Sequence, residues 1–456
     1  MRACILLVFS LFFTSILSMA SAVDPKEIQQ ILKDAVDNRR TVGIVVGIID
    51  SNGKNIYSYG KTASDGRNVD GDTVFEIGST TKTFTATLLA DMVKRGLVGL
   101  DDPVAKYLPK SVKMPSRGGK EITLLDLATH RSGLPLMPAN TNPAQPLYPF
   151  ADYTAEKLFE FLSNYTLPRD IDASYEYSNL GAGLLGEVLA RKAGKSYGAL
   201  LTERILRPLD MNSTGIVLRP EMSARLAMGH SQNLMPVKNW DFDVLAGCGA
   251  IRSTVNDMLK YVAAYMGLKT SPLLSAMAMA QQELKDTGTP NLRIGLAWHI
   301  FKLPNAVIVW HNGETIGYHS FVGFDLKQGM GIVVLSNCKS DIDDIGLHLL
   351  YNQIPLTKVE PKKERKEIAV EPGLLDACVG EYQLTPNIVL TVTKDGNMLF
   401  LKSPGESRQR LHAEAETEFF LTEEDTQVSF VKDATGKVTH LTLHTQGQHI
   451  KADKIK

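Results

Sequence analysis

Cysteine is scarce. The chain has 456 residues and four cysteines, Cys4, Cys248, Cys338 and Cys378. No two stand as Cys-x-x-Cys, which excludes a zinc ribbon or a thioredoxin-type redox pair on local spacing. Without Cys4, the three others cannot all pair within one chain, so no disulfide framework carries the fold; whether two of them bond is left open. An excess of basic charge is also missing. Lys and Arg number 49 against 50 Asp and Glu, a formal net charge of −1, so there is no basic field to hold nucleic acid. No Gly-x-Ser-x-Gly elbow occurs, which argues against an α/β-hydrolase triad, and no His-Glu-x-x-His marks a metalloprotease. Beyond the first residues no long apolar run exists, so no integral span is expected in the mature chain.

Those first residues differ from the rest. Met1-Arg2 precedes CILLVFSLFFTSILSM and then Ala20-Ser21-Ala22. A short basic start, an apolar run and a small-x-small site read as a secretory signal peptide over 1–22. The mature protein is therefore expected to be soluble and secreted or periplasmic. Cys4 lacks the preceding context of a lipoprotein signal.

Residues 24–40, DPKEIQQILKDAVDNRR, space Ile28, Ile31, Leu32 and Val36 as an amphipathic helix. Two strand-like runs come next, TVGIVVGIID and KNIYSYG, with Ser51-Asn52-Gly53 as the hairpin signal between them. The same texture returns far downstream in NAVIVW, YHSFVGFDL and MGIVVLSN, with a turn at 327–329. Short turns between strands imply antiparallel pairing. A helix-rich stretch, roughly 80–285, lies between the two strand groups. The expected fold is α+β: one antiparallel sheet built from both ends of a 23–358 domain, flanked by helices, with an inserted all-helical lobe and a cleft between sheet and lobe. A charged, Pro-bounded linker is expected at 359–373. After it, about eight short β-type runs in 374–456 predict a small antiparallel barrel or sandwich.

The stretch YEYSNLGAGLLGEVLA, 175–190, contains a formal match to a dinucleotide-binding Gly-rich loop. That loop needs a buried strand before its first Gly and an acidic residue closing a second strand some 20 residues on. Here RDIDASYEYSN precedes it, which is polar, and helical sequence comes after. GAGLLG instead predicts the start of a helix, with Gly183, Gly186 and Ala190 as a small face for close packing.

The stretch FEIGSTTKTFTATLLADMVKRG, 75–96, repeats Phe84, Leu88 and Met92 every four residues, so a helix is expected from about Thr80 to Arg95. Lys94 and Arg95 suit its C-terminal end and Gly96 stops it. Ser79 then stands at the helix N-terminus, with Lys82 one turn on along the same face. A serine hydroxyl is a weak nucleophile until a base takes its proton. A lysine of lowered pKa can do so, and Tyr177, beside a cation, is a second candidate base.

Ser79-Thr80-Thr81-Lys82, Tyr177-Ser178-Asn179 and His311-Asn312-Gly313, in that order, resemble the three motifs of the serine penicillin-recognising enzymes. The resemblance is strongest to the branch of class C β-lactamases, DD-peptidases and related esterases, and covers roughly 25–355. HRSGLP at 130–135 and AGCGAIRSTVNDM at 246–258 also look like loops of that family, and 374–456 looks like the lipocalin-like appendage of some members. The resemblance implies acyl transfer without metal or cofactor, on a β-lactam, a D-amino-acid peptide or an ester; a sensor that acylates with negligible turnover is a further possibility. It implies Ser79 as nucleophile and Lys82 and Tyr177 as proton carriers. It gives the backbone N–H groups of Ser79 and Glu314 as oxyanion hole, and Asn179, His311 and Gly313 to the substrate, Asn179 alternatively to steadying Lys82. His311 stands where class C enzymes usually carry Lys, so recognition of a substrate carboxylate is less assured.

Other polar groups are expected to be inert. His440, His444 and His449 read as solvated strand histidines, and Asp101-Asp102 as a turn before Pro103. Trp310 is expected either to line the cleft or to pack.

Overall fold

A computed structural model describes residues 24–456 apart from 142–147, 149, 359–364, 386–387, 405–407, 423–425 and 446–447, so the expected leader lies outside the described residues. Among the described residues the central sheet has eight strands: β1 (Gly43–Asp50), β2 (Gly53–Gly60), β3 (Lys285–Asp286), β4 (Leu292–Ile294), β5 (His299–Lys302), β6 (Val307–Glu314), β7 (His319–Asp325) and β8 (Met330–Ser336). Their order is β2-β1-β8-β7-β6-β5-β4-β3, all antiparallel. The two ends of the domain meet where β1 pairs with β8, from Ile44 opposite Ser336 to Ile49 opposite Gly331.

The central strands are buried on both faces, which is why they read as unbroken apolar runs. On β1, Ile44 and Val46 face one core and Val45 the other; on β8, Ile332 and Val334 oppose Val333 and Leu335. The first face is covered by α1 (Pro25–Asp37) through Ile28, Ile31 and Leu32. Asp24 caps that helix by accepting from the Lys26 N–H at 2.9 Å. The second face carries the helical lobe, in which α2 (Thr81–Lys94) is buried on nearly every side. Its threonines are satisfied by phenols: Thr85 with Tyr197 at 2.6 Å, and Thr87 with Tyr261 and Tyr265 at 2.9 and 2.7 Å.

The GAGLLG stretch lies in α3 (Asn179–Ala193), capped by the Ser178 hydroxyl, which accepts from Gly181 N–H at 2.8 Å. Its small face has a clear use. A Cβ on Gly186 would stand 2.8 Å from Gly247 Cα, and one on Gly183 2.6 Å from Leu245. Only glycines let the turn Ala246–Cys248 approach this closely, and that approach carries the Cys248 carbonyl to Lys82.

Beyond 364 the eight strands β9 (Gly380–Thr385), β10 (Ile388–Asp395), β11 (Met398–Lys402), β12 (Gln409–Ala413), β13 (Glu418–Phe420), β14 (Thr426–Lys432), β15 (Val438–Thr445) and β16 (Gln448–Lys454) close into an up-and-down antiparallel barrel. Its interior is filled by Leu390, Val392, Leu401, Val428, Phe430 and Leu441, among others. A short helix, Pro372–Cys378, adds Leu375 and Cys378 to that core. The described part of the expected linker is not a free connector. Ile368 N–H bonds the Ala413 carbonyl at 2.9 Å and Arg365 pairs with Glu414, so 365–373 is laid onto the barrel. Cys248, Cys338 and Cys378 are buried thiols in separate places. Among the described residues no helix is long and apolar enough to cross a membrane.

Candidate active site

Ser79 sits in the one-turn helix Gly78–Thr80 that leads directly into α2, as its spacing from Lys82 predicts. Lys82 is 1% exposed, and its Nζ donates to three acceptors: Ser79 Oγ at 2.9 Å, Asn179 Oδ1 at 2.8 Å and the Cys248 carbonyl at 2.8 Å. Asn179 Oδ1 thus bonds Lys82 while its side chain also lines the cleft. Burial lowers the Lys82 pKa to about 8. Deprotonated, this amine keeps two N–H groups for Asn179 and Cys248, and its lone pair then falls on the Ser79 hydroxyl. The fixed acceptors therefore aim the base.

Tyr177 lines the same cleft as Ser79, and its ring centroid lies 4.8 Å from Lys82 Nζ. Burial raises its pKa well above the usual phenol value, against the lowering effect of the nearby Ser79 hydroxyl. The phenol is thus neutral at rest, and Lys82 is the better-poised base of the two candidates.

The third motif reaches the site along β6. A Cβ on Gly313 would lie 2.0 Å from Ile77 O and 2.8 Å from Thr80 N, so glycine is required for the strand to rest on the nucleophile's turn. Ser320 on β7 clamps the same turn, donating to Ile77 O at 2.8 Å and meeting Thr80 Oγ1 at 2.9 Å. Thr315 N–H bonds back to Tyr318 O at 3.0 Å; by strand alternation the Glu314 N–H points the other way, and the Glu314 backbone lies against Gly78, beside the nucleophile. This suits Glu314 N–H and Ser79 N–H to an oxyanion hole. The Glu314 side chain lies at the mouth, 3.8 Å from Lys339 Nζ.

His311 is not solvent-facing. It is 1% exposed, stacks on His299 at 5.2 Å and stands 6.4 Å from Tyr177 between ring centroids. Burial, with His299 and Lys82 adding to it, holds it well below the usual imidazole pKa, so it is neutral. Its Nδ1 faces the Asn312 carbonyl at 2.5 Å, and Asn312 Nδ2 donates to Asp343 at 2.5 Å. Trp310 packs, stacked on Phe321 at 5.8 Å.

Ser79, Tyr177, Asn179, Gly313 and Glu314 line one cleft of about 330 Å³. Its apolar wall is Phe150, Trp240 and Phe242, with Phe150 stacked on Phe242 at 4.4 Å. The wall is anchored by the buried pair Arg252–Glu76, 3.3 Å apart, with Glu76 accepting from the Trp240 backbone N–H at 3.0 Å. Aromatic residues in a loop carry no local signature, so only the fold reveals them. His299 and His130 are further members of the site that spacing alone does not single out. Outside the cleft, His444 and His449 face each other across the β15–β16 hairpin, Nδ1 to Nδ1 2.6 Å.

The beta-lactamase family model matches residues 28–350, and a model described as a domain of unknown function matches 364–454. The chain is 32% identical to the D-alanyl-D-alanine-carboxypeptidase/endopeptidase AmpH of Escherichia coli K12, over 56% of this chain and 69% of that one. It is 25% identical to penicillin-binding protein 4* of Bacillus subtilis, over 79% of this chain and 83% of that one. A class C beta-lactamase structure from Rhodobacter sphaeroides superposes with a TM-score of 0.63 at 25% identity, covering 72% of this chain and 99% of that one. On these matches, and on a nucleophile turn held between α2 and β6, the chain belongs to the beta-lactamase family of serine hydrolases.

Proposed function

We propose that this protein hydrolyses a β-lactam or a D-Ala-D-Ala-type peptide through an acyl-enzyme on Ser79. The observation that carries the reading is the three-acceptor cradle of Lys82, which turns the lone pair of the neutral amine onto Ser79 Oγ. Ser79 Oγ forms a bond to the substrate carbonyl carbon while its proton passes to Lys82 Nζ. The oxygen charge that develops faces the N–H groups of Ser79 and Glu314. Collapse breaks the bond to the leaving nitrogen, which takes a proton from the Tyr177 phenol as Lys82 replenishes it. Water then attacks the ester, and the same groups return the proton to Ser79. Export, as the 1–22 pattern suggests, would put this chemistry beside cell-wall peptides; the N-terminal sequence of the protein recovered outside the cytoplasm tests that placement.

The deciding experiment incubates the protein with a labelled penicillin, a D-Ala-D-Ala peptide and a short-chain ester, following adduct mass over time. A transient Ser79 adduct with the first two supports the reading, and a lasting one makes the protein a sensor. Cleavage of the ester alone selects an esterase. One observation favours that second reading: His311 is neutral and buried behind the cleft rather than lining it, and Lys339 is engaged by Glu314, so the site offers little positive charge to a carboxylate. His311→Lys is accordingly expected to lower KM about tenfold for carboxylate-bearing substrates and leave the ester unaffected. Unchanged KM values for the penicillin would remove His311 from anion recognition.

The pH dependence follows from Lys82. Its amine must be neutral to accept the Ser79 proton, and its pKa is about 8. Acylation should therefore rise with pH through about 8 and level off above it, with single-turnover rates across pH 6–10 as the check. A flat profile would exclude Lys82 as the base.

A further inference from the structure

His130 is a non-glycine residue with φ +57°, in the left-handed region, and is 2% exposed. Such a backbone costs about 1 kcal/mol or more, and persists where the surroundings over-determine it. What surrounds His130 is the segment that carries Tyr177. Its Nδ1 accepts the Ser178 N–H at 3.1 Å, the amide immediately after Tyr177. Its carbonyl accepts the Glu176 N–H at 2.8 Å, the amide immediately before. Its ring lies 4.5 Å from the Tyr177 ring, tilted by 31°. An imidazole that accepts at Nδ1 carries its proton on Nε2, so the tautomer is fixed by the Ser178 amide.

The end of the same loop, Pro135 and Leu136, grips residues C-terminal to Tyr177. Ser178 Oγ donates to Pro135 O at 2.6 Å, and the Asn179 and Leu180 N–H groups share Leu136 O at 3.0 and 3.2 Å. These bonds set the start of α3 and so Asn179. They leave the Tyr177 side chain unguided. Among the described residues of the loop, only His130 grips the amides on both sides of Tyr177 and also meets its ring.

We infer that His130 is the positioning residue of Tyr177: it transfers no proton itself, but holds the phenol at Ser79 by bonding both flanking amides and packing on the ring. The inference rests on the proposed role of Tyr177 in acyl transfer. The HRSGLP stretch is then a clamp on the second motif, and its histidine is the part of the clamp aimed at proton transfer.

The test is single-turnover acylation of Ser79 by a labelled penicillin or a short-chain ester, whichever the wild type accepts. His130→Gly removes the side chain while relaxing the positive φ. It is expected to slow acylation by about 10–100-fold with KM little changed, since a misplaced proton carrier costs rate rather than binding. His130→Asn restores an acceptor near the Nδ1 position and tolerates positive φ, and is expected to recover most of that loss. The same His130→Gly change made on Tyr177→Phe should alter the acylation rate by less than about twofold, because its effect passes through the phenol. Equal losses in both backgrounds, or an Asn variant as slow as the Gly variant, would overturn the inference. A wild type that forms no Ser79 adduct would instead remove the functional reading on which it stands.

Discussion

Ser79→Ala is expected to abolish every covalent adduct and to lower turnover by at least about 10⁴-fold, while leaving the fold intact. The side chain removed is small and sits in the turn before α2, where its backbone bonds do not depend on the hydroxyl. What is lost is the atom on which Lys82 and Tyr177 converge. Lys82 retains Asn179 and Cys248 as acceptors, so the buried amine is not stranded and the melting temperature should move little. Intact-mass spectrometry after incubation with a penicillin gives the decisive reading. An adduct on the alanine variant would place the nucleophile elsewhere and leave the three-acceptor cradle without its purpose.

The second large effect is expected from a methyl group. Gly313→Ala places a Cβ 2.0 Å from Ile77 O, 2.6 Å from Ser320 Oγ and 2.8 Å from Thr80 N. Ser320 could yield, but the other two are backbone atoms of the nucleophile's turn, so strand β6 must lift. We expect a loss of at least about 3 kcal/mol in stability. Activity should fall by about 10³-fold, because the Glu314 N–H moves away from the developing oxyanion. Urea unfolding and steady-state kinetics measure the two separately. A variant with wild-type activity would mean that the strand has slack and that Gly313 serves the substrate in another way.

These two cases show where the sequence speaks and where it does not. The pairing of Ser79 with Lys82 is legible because helical spacing alone puts them on one face. Tyr177 and Asn179 are legible as a motif, and the helix after them by its periodicity. The strands near both ends can be read as strands, and their hairpin turns give the antiparallel sense. What no local pattern reveals is the third acceptor of Lys82, since the Cys248 carbonyl is a backbone atom that any residue would supply. The burial of His311 is equally silent: it depends on His299, which reaches it through the pairing of β5 with β6. The aromatic wall joins Phe150 to Trp240 and Phe242 across some ninety residues of chain. At the barrel, charge and proline in 359–373 read as a tether, yet Ile368 finds a partner on β12.

The pairing of β1 with β8 has a bearing on how the molecule comes into being. β1 meets β2 at once across a hairpin, but on its other edge Ile44 waits for Ser336, so the strand is completed only when nearly three hundred further residues have been added. Loop closure over that span makes assembly slow. A nascent chain of this topology remains open through most of its synthesis, with one edge of β1 unpaired and β6 not yet laid on the turn of Ser79. Catalytic competence therefore arrives late and all together, since the strand that rests on the nucleophile's turn belongs to the last part of the sheet to be made.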